Sequence, residues 1–362
     1  MINKAKTALL RLLSKNKRKK LSKFSTALDI GDFSIKAIKA FMDENGKVSP
    51  VSWWISELKD EMDVSVILKE CMKKIDYRGE ALVTAVGGES VMIRSIDLPY
   101  MTDEELRDSI RWEARKHIPI DISNIVFDYQ LIKRDPATGN LHVILVAVAK
   151  DIFDSHLNMI LHAGFQPDIV DVEPLALMNS VLLSGNYGET EDIALIDIGR
   201  SLSNFSVFSH DQIYLVRPLS ITGRKIEQKL LDEEFVNIHN LRRIMRNEYE
   251  IEESYSRDLR RLLEDEIRVL ENEIRQNVIF YESRRARVLS KILITGGLSG
   301  FLEISGIKDS LSKRLDLELE VFDPFKGLRK EGFGVKLTEK EGPLYALAWG
   351  LALRGFRLSK DV

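Results

Sequence analysis

The tripeptide Asp-Ile-Gly occurs twice in this chain, as Asp29-Ile30-Gly31 and as Asp197-Ile198-Gly199, 168 positions apart. The first copy sits in "ALDIGDFSIKAIKA" and the second in "ALIDIGRSLSNFSVF". Each closes one apolar run, turns on a glycine and opens another apolar run, which is the pattern of a β-hairpin. Any fold for the chain must therefore build the same strand–turn–strand unit twice.

The residues around these turns suit one kind of ligand. A carboxylate ends the first strand, and the glycine turn aims backbone N–H groups outward, as a polyphosphate requires. Ser34 can add a hydroxyl donor and Lys36 a cation. Asp29 and Asp197 can hold Mg²⁺ through waters, because that ion gives up its hydration shell reluctantly. A third turn, Gly296-Gly297, follows the apolar run "KILIT" and precedes a predicted helix. A nucleotide can approach closely there. One Asp-x-Gly turn is more often a plain hairpin. Three glycine turns in this order are a stronger signal.

The remaining chain alternates strands and helices. Strands are predicted at 81–86, 91–98, in "IVFDYQLIKR" and "LHVILVAVA" joined by the turn "DPATGN", in "PDIVDVE", in "DQIYLVRPL" and in "LELEVFDPF". Helices are predicted over 63–75, 150–163 up to Gly164, and from Pro174. Thr102 and Glu105 form a capping box for a helix over 103–117, which stops before Pro119. Residues 226–289 contain no Gly or Pro and are charged with Leu/Ile spacing. The heptad breaks repeatedly, which favours helices packed on a subdomain over a coiled coil. The closing stretch "PLYALAWGLALR" is apolar all round and so predicts a buried helix. Trp53-Trp54 and Trp349 read as packing residues, and Arg111, Arg115 and Lys116 as a solvated helix face.

Composition excludes several classes. With 362 residues the chain has room for more than one substructure and a sizeable core. A net charge of −3 gives no overall basic bias toward nucleic acid. The single Cys71 excludes an internal disulfide and a cysteine-cluster metal site. The histidines lack metal-ligand spacing, and no apolar run approaches the ~20 residues of a membrane helix. Residues 1–23 carry nine cations and no acid. They read either as a solvated tail or as a short basic amphipathic helix resting on anionic lipid.

The three glycine turns and the final apolar helix resemble the phosphate-1, phosphate-2, adenosine and connecting elements of the actin/Hsp70 ATPase fold. "DIGDFSIK" keeps that family's Asp-to-Lys offset, and "DVEPLALM" and "YALAWGLALR" resemble its two connecting segments. The stretches "IDLPYMTDEELRDSIRWEARKHIPIDISNIVFDYQLI" and "VAVAKDIFDSHLNMILHAGFQPDIVDVEPLAL" are more specific. They are similar to the PilM family of type IV pilus assembly, which is related to FtsA. The likeness runs from about Phe24 to Arg357.

The resemblance implies two RNase H-like halves around a nucleotide cleft, with an FtsA-type 1C subdomain. It divides the chain into a basic extension (1–23), 1A (24–90, 167–190 and 336–357), 1C (91–166), 2A (191–225 and 290–335) and helical 2B (226–289). It implies ATP and Mg²⁺ as cofactors, with Asp29, Gly31, Asp32, Phe33, Ser34, Lys36, Asp197, Gly199, Arg200, Ser201, Asn204, Asn240, Arg243, Gly296, Gly297 and Leu298 as nucleotide contacts. Glu173 either positions an attacking water or caps the helix at Pro174. Three departures weaken the nucleotide reading, one being the phosphate-2 turn Arg200-Ser201-Leu202-Ser203-Asn204, bulkier than the small residues expected beside a γ-phosphate. Thr222-Gly223 stands where the family has Gly-Gly, and Asn240 and Arg243 stand near its Glu and Lys.

The implied function is a cytoplasmic assembly protein at the inner membrane, at most a slow ATPase. Its partner is the N-terminal cytoplasmic peptide of PilN, held in a groove between 1A and 1C. Motor and inner-membrane platform components, anionic membrane and self-association into a homo-oligomer complete the set of contacts, with no nucleic acid. The competing readings are a nucleotide-free scaffold of a pilus or secretion system and a small-molecule kinase on the same fold.

Overall fold

A computed structural model describes residues 23–356, except 59–62, 90, 120, 136–137, 185–186, 189–190, 210–211, 234–252 and 331–335. The basic segment before Lys23, and Asn240 and Arg243, lie outside the described residues. The chain forms two compact units. One contains residues 1–186, 210–213 and 347–362, and the other 187–209 and 214–346.

In the first unit, β1 (Phe24–Ile30), β2 (Ser34–Met42) and β3 (Val48–Glu57) form an antiparallel meander. β4 (Ala81–Val86) lies parallel to β1, and β8 (Ile169–Val172) parallel to β4, giving the order β3-β2-β1-β4-β8. β4 and β8 are buried along their whole length, as parallel strands covered on both faces must be. The helix α1 (Val64–Lys74) packs Ile67, Leu68, Cys71 and Met72 against Leu28, Ile35 and Leu82. Asp63 caps it by accepting from the Ser65 N–H at 2.8 Å. Trp54 packs against the same cluster, from the edge strand β3.

A second, three-stranded antiparallel sheet grows out of this unit. Its order is β5 (Val91–Leu98), β7 (Leu141–Ala149), β6 (Ile125–Arg134). The helix α2 (Asp103–His117) covers one face through Leu106, Ile110 and Ala114. The capping box is present: Thr102 Oγ1 accepts from the Glu105 N–H, and Glu105 Oε2 accepts from the Thr102 N–H at 2.7 Å. The helix α3 (Lys150–His162) packs on β6 and β7, yet its Ile160 and the following Ala163 belong to the core of the first sheet. This one helix therefore ties the two sheets together. The helix α4 (Glu173–Leu182) packs on β4 and β8.

The second unit repeats the first. β9 (Ile193–Ile198), β10 (Ser203–Ser209) and β11 (Gln212–Leu219) form the meander, and β12 (Lys291–Thr295) and β13 (Glu318–Val321) add in parallel. The order β11-β10-β9-β12-β13 matches the first sheet strand for strand. α5 (Gly223–Asp232), α6 (Glu253–Leu262) and α7 (Glu264–Arg285) lie among the charged residues after β11. Leu259, Leu263, Ile267, Leu270, Ile274, Val278 and Tyr281 recur at steps of three and four, and join one core with Ile196, Phe205 and Ile292. That continuous face buries itself on the unit's own sheet, and the coiled-coil alternative falls. α8 (Ser299–Ile304), α9 (Ile307–Leu315) and α10 (Lys326–Lys330) surround β13 in sequence; the last described helix, α11 (Ala346–Gly355), belongs from Leu347 onward to the first unit. Trp349 is buried on α11.

Candidate functional site

In the first unit, the β1–β2 turn closes on a Gly31 N–H donated to Ser34 O at 3.1 Å. Asp32 projects exposed at its tip, Phe33 is half-buried, and Ser34 is buried. A Cβ at Gly31 would meet only Ser34 O, at an ordinary 3.5 Å, so protein packing does not demand this glycine. Asp29 and Lys36 are register partners on the two strands. Their side chains form an ion pair, Nζ to Oδ2, at 2.9 Å, and are 6% and 14% exposed. The candidate phosphate cation is thus held by the candidate metal carboxylate.

The fold also brings in His156, which the sequence reading left unassigned. It lies on α3, and its Nε2 is 2.9 Å from Thr84 Oγ1. Burial pushes the imidazole down to about 4, while the charge of Asp29 pulls the other way. The ring is therefore neutral at pH 7. Gly87-Gly88 follows β4 as Gly296-Gly297 follows β12, but the positive φ falls on the second glycine of the first pair (Gly88, +103°) and the first glycine of the second (Gly296, +94°). A Cβ at Gly87 would stand 2.1 Å from the Glu173 carboxyl, so that carboxylate lies directly over the Gly87 backbone. Glu173 occupies the first turn of α4. Val172 is the N-cap residue, without a side-chain cap bond, so Glu173 does not cap the helix.

In the second unit, three chain segments converge. Gly199 N–H donates to Leu202 O at 3.0 Å, and a Cβ there would lie 2.5 Å from that oxygen. Asp197 faces Asn204 in register, at the same seven-residue offset that separates Asp29 from Lys36. Ser201 is exposed at the turn. Arg200 is engaged by Glu227 of α5, Nε to Oε2 at 3.0 Å. The start of α5 docks on the turn through Gly223 N–H to Gly199 O at 2.9 Å and Arg224 N–H to Arg200 O at 2.8 Å. Thr222 caps α5, its hydroxyl accepting from the Lys225 N–H. Gly223 supplies the close approach, since its Cβ would come within 2.5 Å of Leu298 Cδ1.

Gly296 is constrained in two ways at once. Its φ is +94°, and a Cβ would lie 2.5 Å from both Asp197 Oδ1 and Ile198 O. Gly297 beside it has nothing within 4 Å of its Cβ position. Leu298 is buried in the core, and its N–H donates to Ile198 O at 3.2 Å. Its side chain and its N–H are therefore both used in holding the turn.

We expect Gly296→Ala to lower stability by about 3 kcal/mol, combining left-handed strain with overpacking. Gly297→Ala, pointing into open space, should change it by less than about 0.5 kcal/mol. Urea midpoints of the two variants check the contrast. Among the described residues no group of three His, Cys, Asp or Glu side chains is placed to hold a metal.

Comparison with known proteins follows the same lines as the geometry. A family model described as type IV pilus assembly protein PilM matches residues 27–356. The solved structure of a PilM-PilN type IV pilus biogenesis complex superposes with a TM-score of 0.76 at 20% identity, over 93% of this chain and 99% of that one. Ethanolamine utilization protein EutJ from Carboxydothermus hydrogenoformans gives a TM-score of 0.51 at 14% identity, over 91% and 89% of the two chains. A search of curated proteins gives no match.

Proposed function

The chain belongs to the PilM family of type IV pilus assembly proteins and has the actin-like ATPase fold, and on that footing we propose that it is a nucleotide-binding assembly protein. The observation that carries the nucleotide reading is the matched pair of hairpins. Two sheets of identical strand order each end a central strand on Asp-Ile-Gly, with Asp29 facing Lys36 and Asp197 facing Asn204. ATP would draw phosphate contacts from both hairpins and lay its nucleoside near Gly296-Gly297. The open space at Gly297 supports that placement.

Mg²⁺ would reach Asp29 and Asp197 through waters, which suits carboxylates that are not gathered into an all-protein cage. The ion would neutralise phosphate charge. Lys36 would pass from Asp29 to a phosphate oxygen, and Asn204 can donate an amide N–H. Glu173, held over Gly87, stands on the first unit's glycine turn and is the residue best placed to orient a water; hydrolysis would be slow.

Calorimetry with ATP and Mg²⁺ tests this reading. Removing Lys36 alone would leave a largely buried carboxylate unpaired, so binding and stability would change together. The double variant Asp29→Asn/Lys36→Gln removes both charges at nearly constant volume. It should stay folded and bind ATP at least tenfold more weakly. Absence of heat from the folded parent protein at millimolar ATP would favour the nucleotide-free scaffold. That second reading rests on Arg200 being paired with Glu227 and on the burial of Leu298.

The partner we propose is the N-terminal cytoplasmic peptide of a PilN-like membrane protein, docked where the three-stranded sheet meets the rest of its unit. Support comes from the complex in which the similar structure was solved. The site of action would be the cytoplasmic face of the inner membrane, with the basic N-terminal segment against anionic lipid. A short extended peptide buries little area, so anisotropy should give a micromolar Kd, about −8 kcal/mol. If ATP tightens the peptide, the peptide must tighten ATP by the same factor.

A further inference from the structure

Helix α2 carries Arg107, Arg111 and Arg115 at steps of four, all exposed. The buried residues of the helix, Leu106, Ile110 and Ala114, lie one position before each arginine. The arginines therefore form a row along one margin of the buried stripe. Their neighbour across that margin is β6. The Arg111 guanidinium lies over the Phe127 ring at 5.5 Å. Arg107 stands near enough to Tyr129 for its charge to act on the phenol. Phe127, Tyr129 and Leu131 alternate along β6 and pack on the α2 side of the sheet. At the far end, Arg115 stacks on Trp112 at 4.5 Å, a tryptophan that is 64% exposed.

Two features show what this row fits. First, β6 is an edge strand: it pairs with β7, and among the described residues no strand lies on its other side. Second, the row and an added strand are commensurate. Arginines four apart on a helix rise about 6 Å per step, and side chains on one face of a strand repeat about every 6.8 Å. A strand laid along β6 would thus present every second side chain to one guanidinium of the row. Its backbone would take the edge hydrogen bonds, displacing the Asp128 carboxylate that now accepts from the Tyr129 N–H at 2.8 Å, and its carboxylates would take the arginines.

We propose that the α2–β6 margin is a docking site for an extended protein segment with acidic residues at alternate positions, added as a fourth strand to the three-stranded sheet. The site is separate from the glycine turns and does not depend on nucleotide. A continuous polyanion fits less well, because Glu104 and Asp108 are interleaved with the arginines and exposed. Phe127 beneath Arg111 and Trp112 beside Arg115 hold two of the guanidiniums, and Arg107 Nε donates to Asp103 O at 3.1 Å, which lowers the ordering cost of binding.

The probe is a labelled nine-residue synthetic peptide alternating Glu with Thr or Val, titrated into the full chain by fluorescence anisotropy. We expect micromolar binding. Arg107→Glu/Arg115→Glu should weaken it at least tenfold, with the far-ultraviolet spectrum and urea midpoint unchanged. Arg107→Gln/Arg115→Gln provides a second variant should the reversal disturb folding. A peptide of the same composition with its acids in one block should bind at least fivefold more weakly. Bound peptide should slow hydrogen exchange at β6 amides. Equal binding to parent and both variants, equal binding of the two peptides, or unchanged β6 exchange would each overturn the proposal. So would phosphatidylglycerol vesicles or a single-stranded oligonucleotide displacing the peptide through the same arginines.

Discussion

Gly350→Ala should destabilise the first unit by about 3 kcal/mol or more. Intrinsic helix preference predicts the reverse, since alanine is favoured over glycine by about 1 kcal/mol in a helix interior. Packing decides the sign. A Cβ on Gly350 would lie 1.8 Å from the carbonyl oxygen of Ala176 and 2.7 Å from its carbon. Those atoms belong to the backbone of α4, so no rotamer change relieves the overlap. The two helices must move apart, and the apolar contacts around their crossing are lost with them. The measurement is a urea midpoint for the purified variant. A midpoint at or above that of the parent would mean that α4 and α11 do not cross this closely.

Arg354→Met should cost about 3–5 kcal/mol at neutral pH. Arg354 is 3% exposed and Asp171 not at all, and Nε lies 3.9 Å from Asp171 Oδ2. Burial pushes the Asp171 carboxyl up to about 6, with Arg354 and the Val172 N–H holding it down. A raised folded-state pKa means that the native protein holds this proton more tightly than the unfolded chain. The contribution of Asp171 to stability is therefore most favourable below the unfolded value near 3.8 and declines as pH rises to about 6. Without Arg354 the carboxyl moves higher still, and the decline continues to higher pH. The cost of the substitution should consequently be clearly smaller at pH 5, where Asp171 is mostly protonated in both proteins, than at pH 8. Denaturation at the two pH values checks this. An equal cost at both would show that Asp171 is not the group that Arg354 serves.

Much of the fold could be read locally. The hairpin offset that places Lys36 opposite Asp29 and Asn204 opposite Asp197 is visible in the repeated tripeptide, because cross-strand register follows from a short turn. The Thr102 capping box and the bounds of α2 were equally legible, because a cap and its helix are neighbours in sequence. The buried face of α6 and α7 follows from steps of three and four, and it separates a core-packed helix from a coiled coil.

The site was less legible. Asn240 and Arg243 lie outside the described residues, and the remaining candidates divided once the chain folded. Leu298 is spent on the core, and Arg200 is held by Glu227. Glu173 proved to lie over Gly87 instead of capping its helix. His156 acquired a place near Asp29 that its own surroundings in the sequence do not signal.

The sequence by itself determined the duplicated strand–turn–strand unit, the helices and their caps, and the family, since each rests on side-chain periodicity or on residues adjacent in the chain. The tertiary structure decided which glycines are required. Gly31 and Gly199 occupy equivalent turns, yet a Cβ is tolerated at the first and would strike Leu202 O at the second. Gly296 is excluded from bearing a side chain by Asp197 and Ile198, Gly350 by Ala176, and Gly297 by nothing within 4 Å. Steric exclusion acts over a few ångströms between segments that the chain separates widely, and only packing brings those segments together.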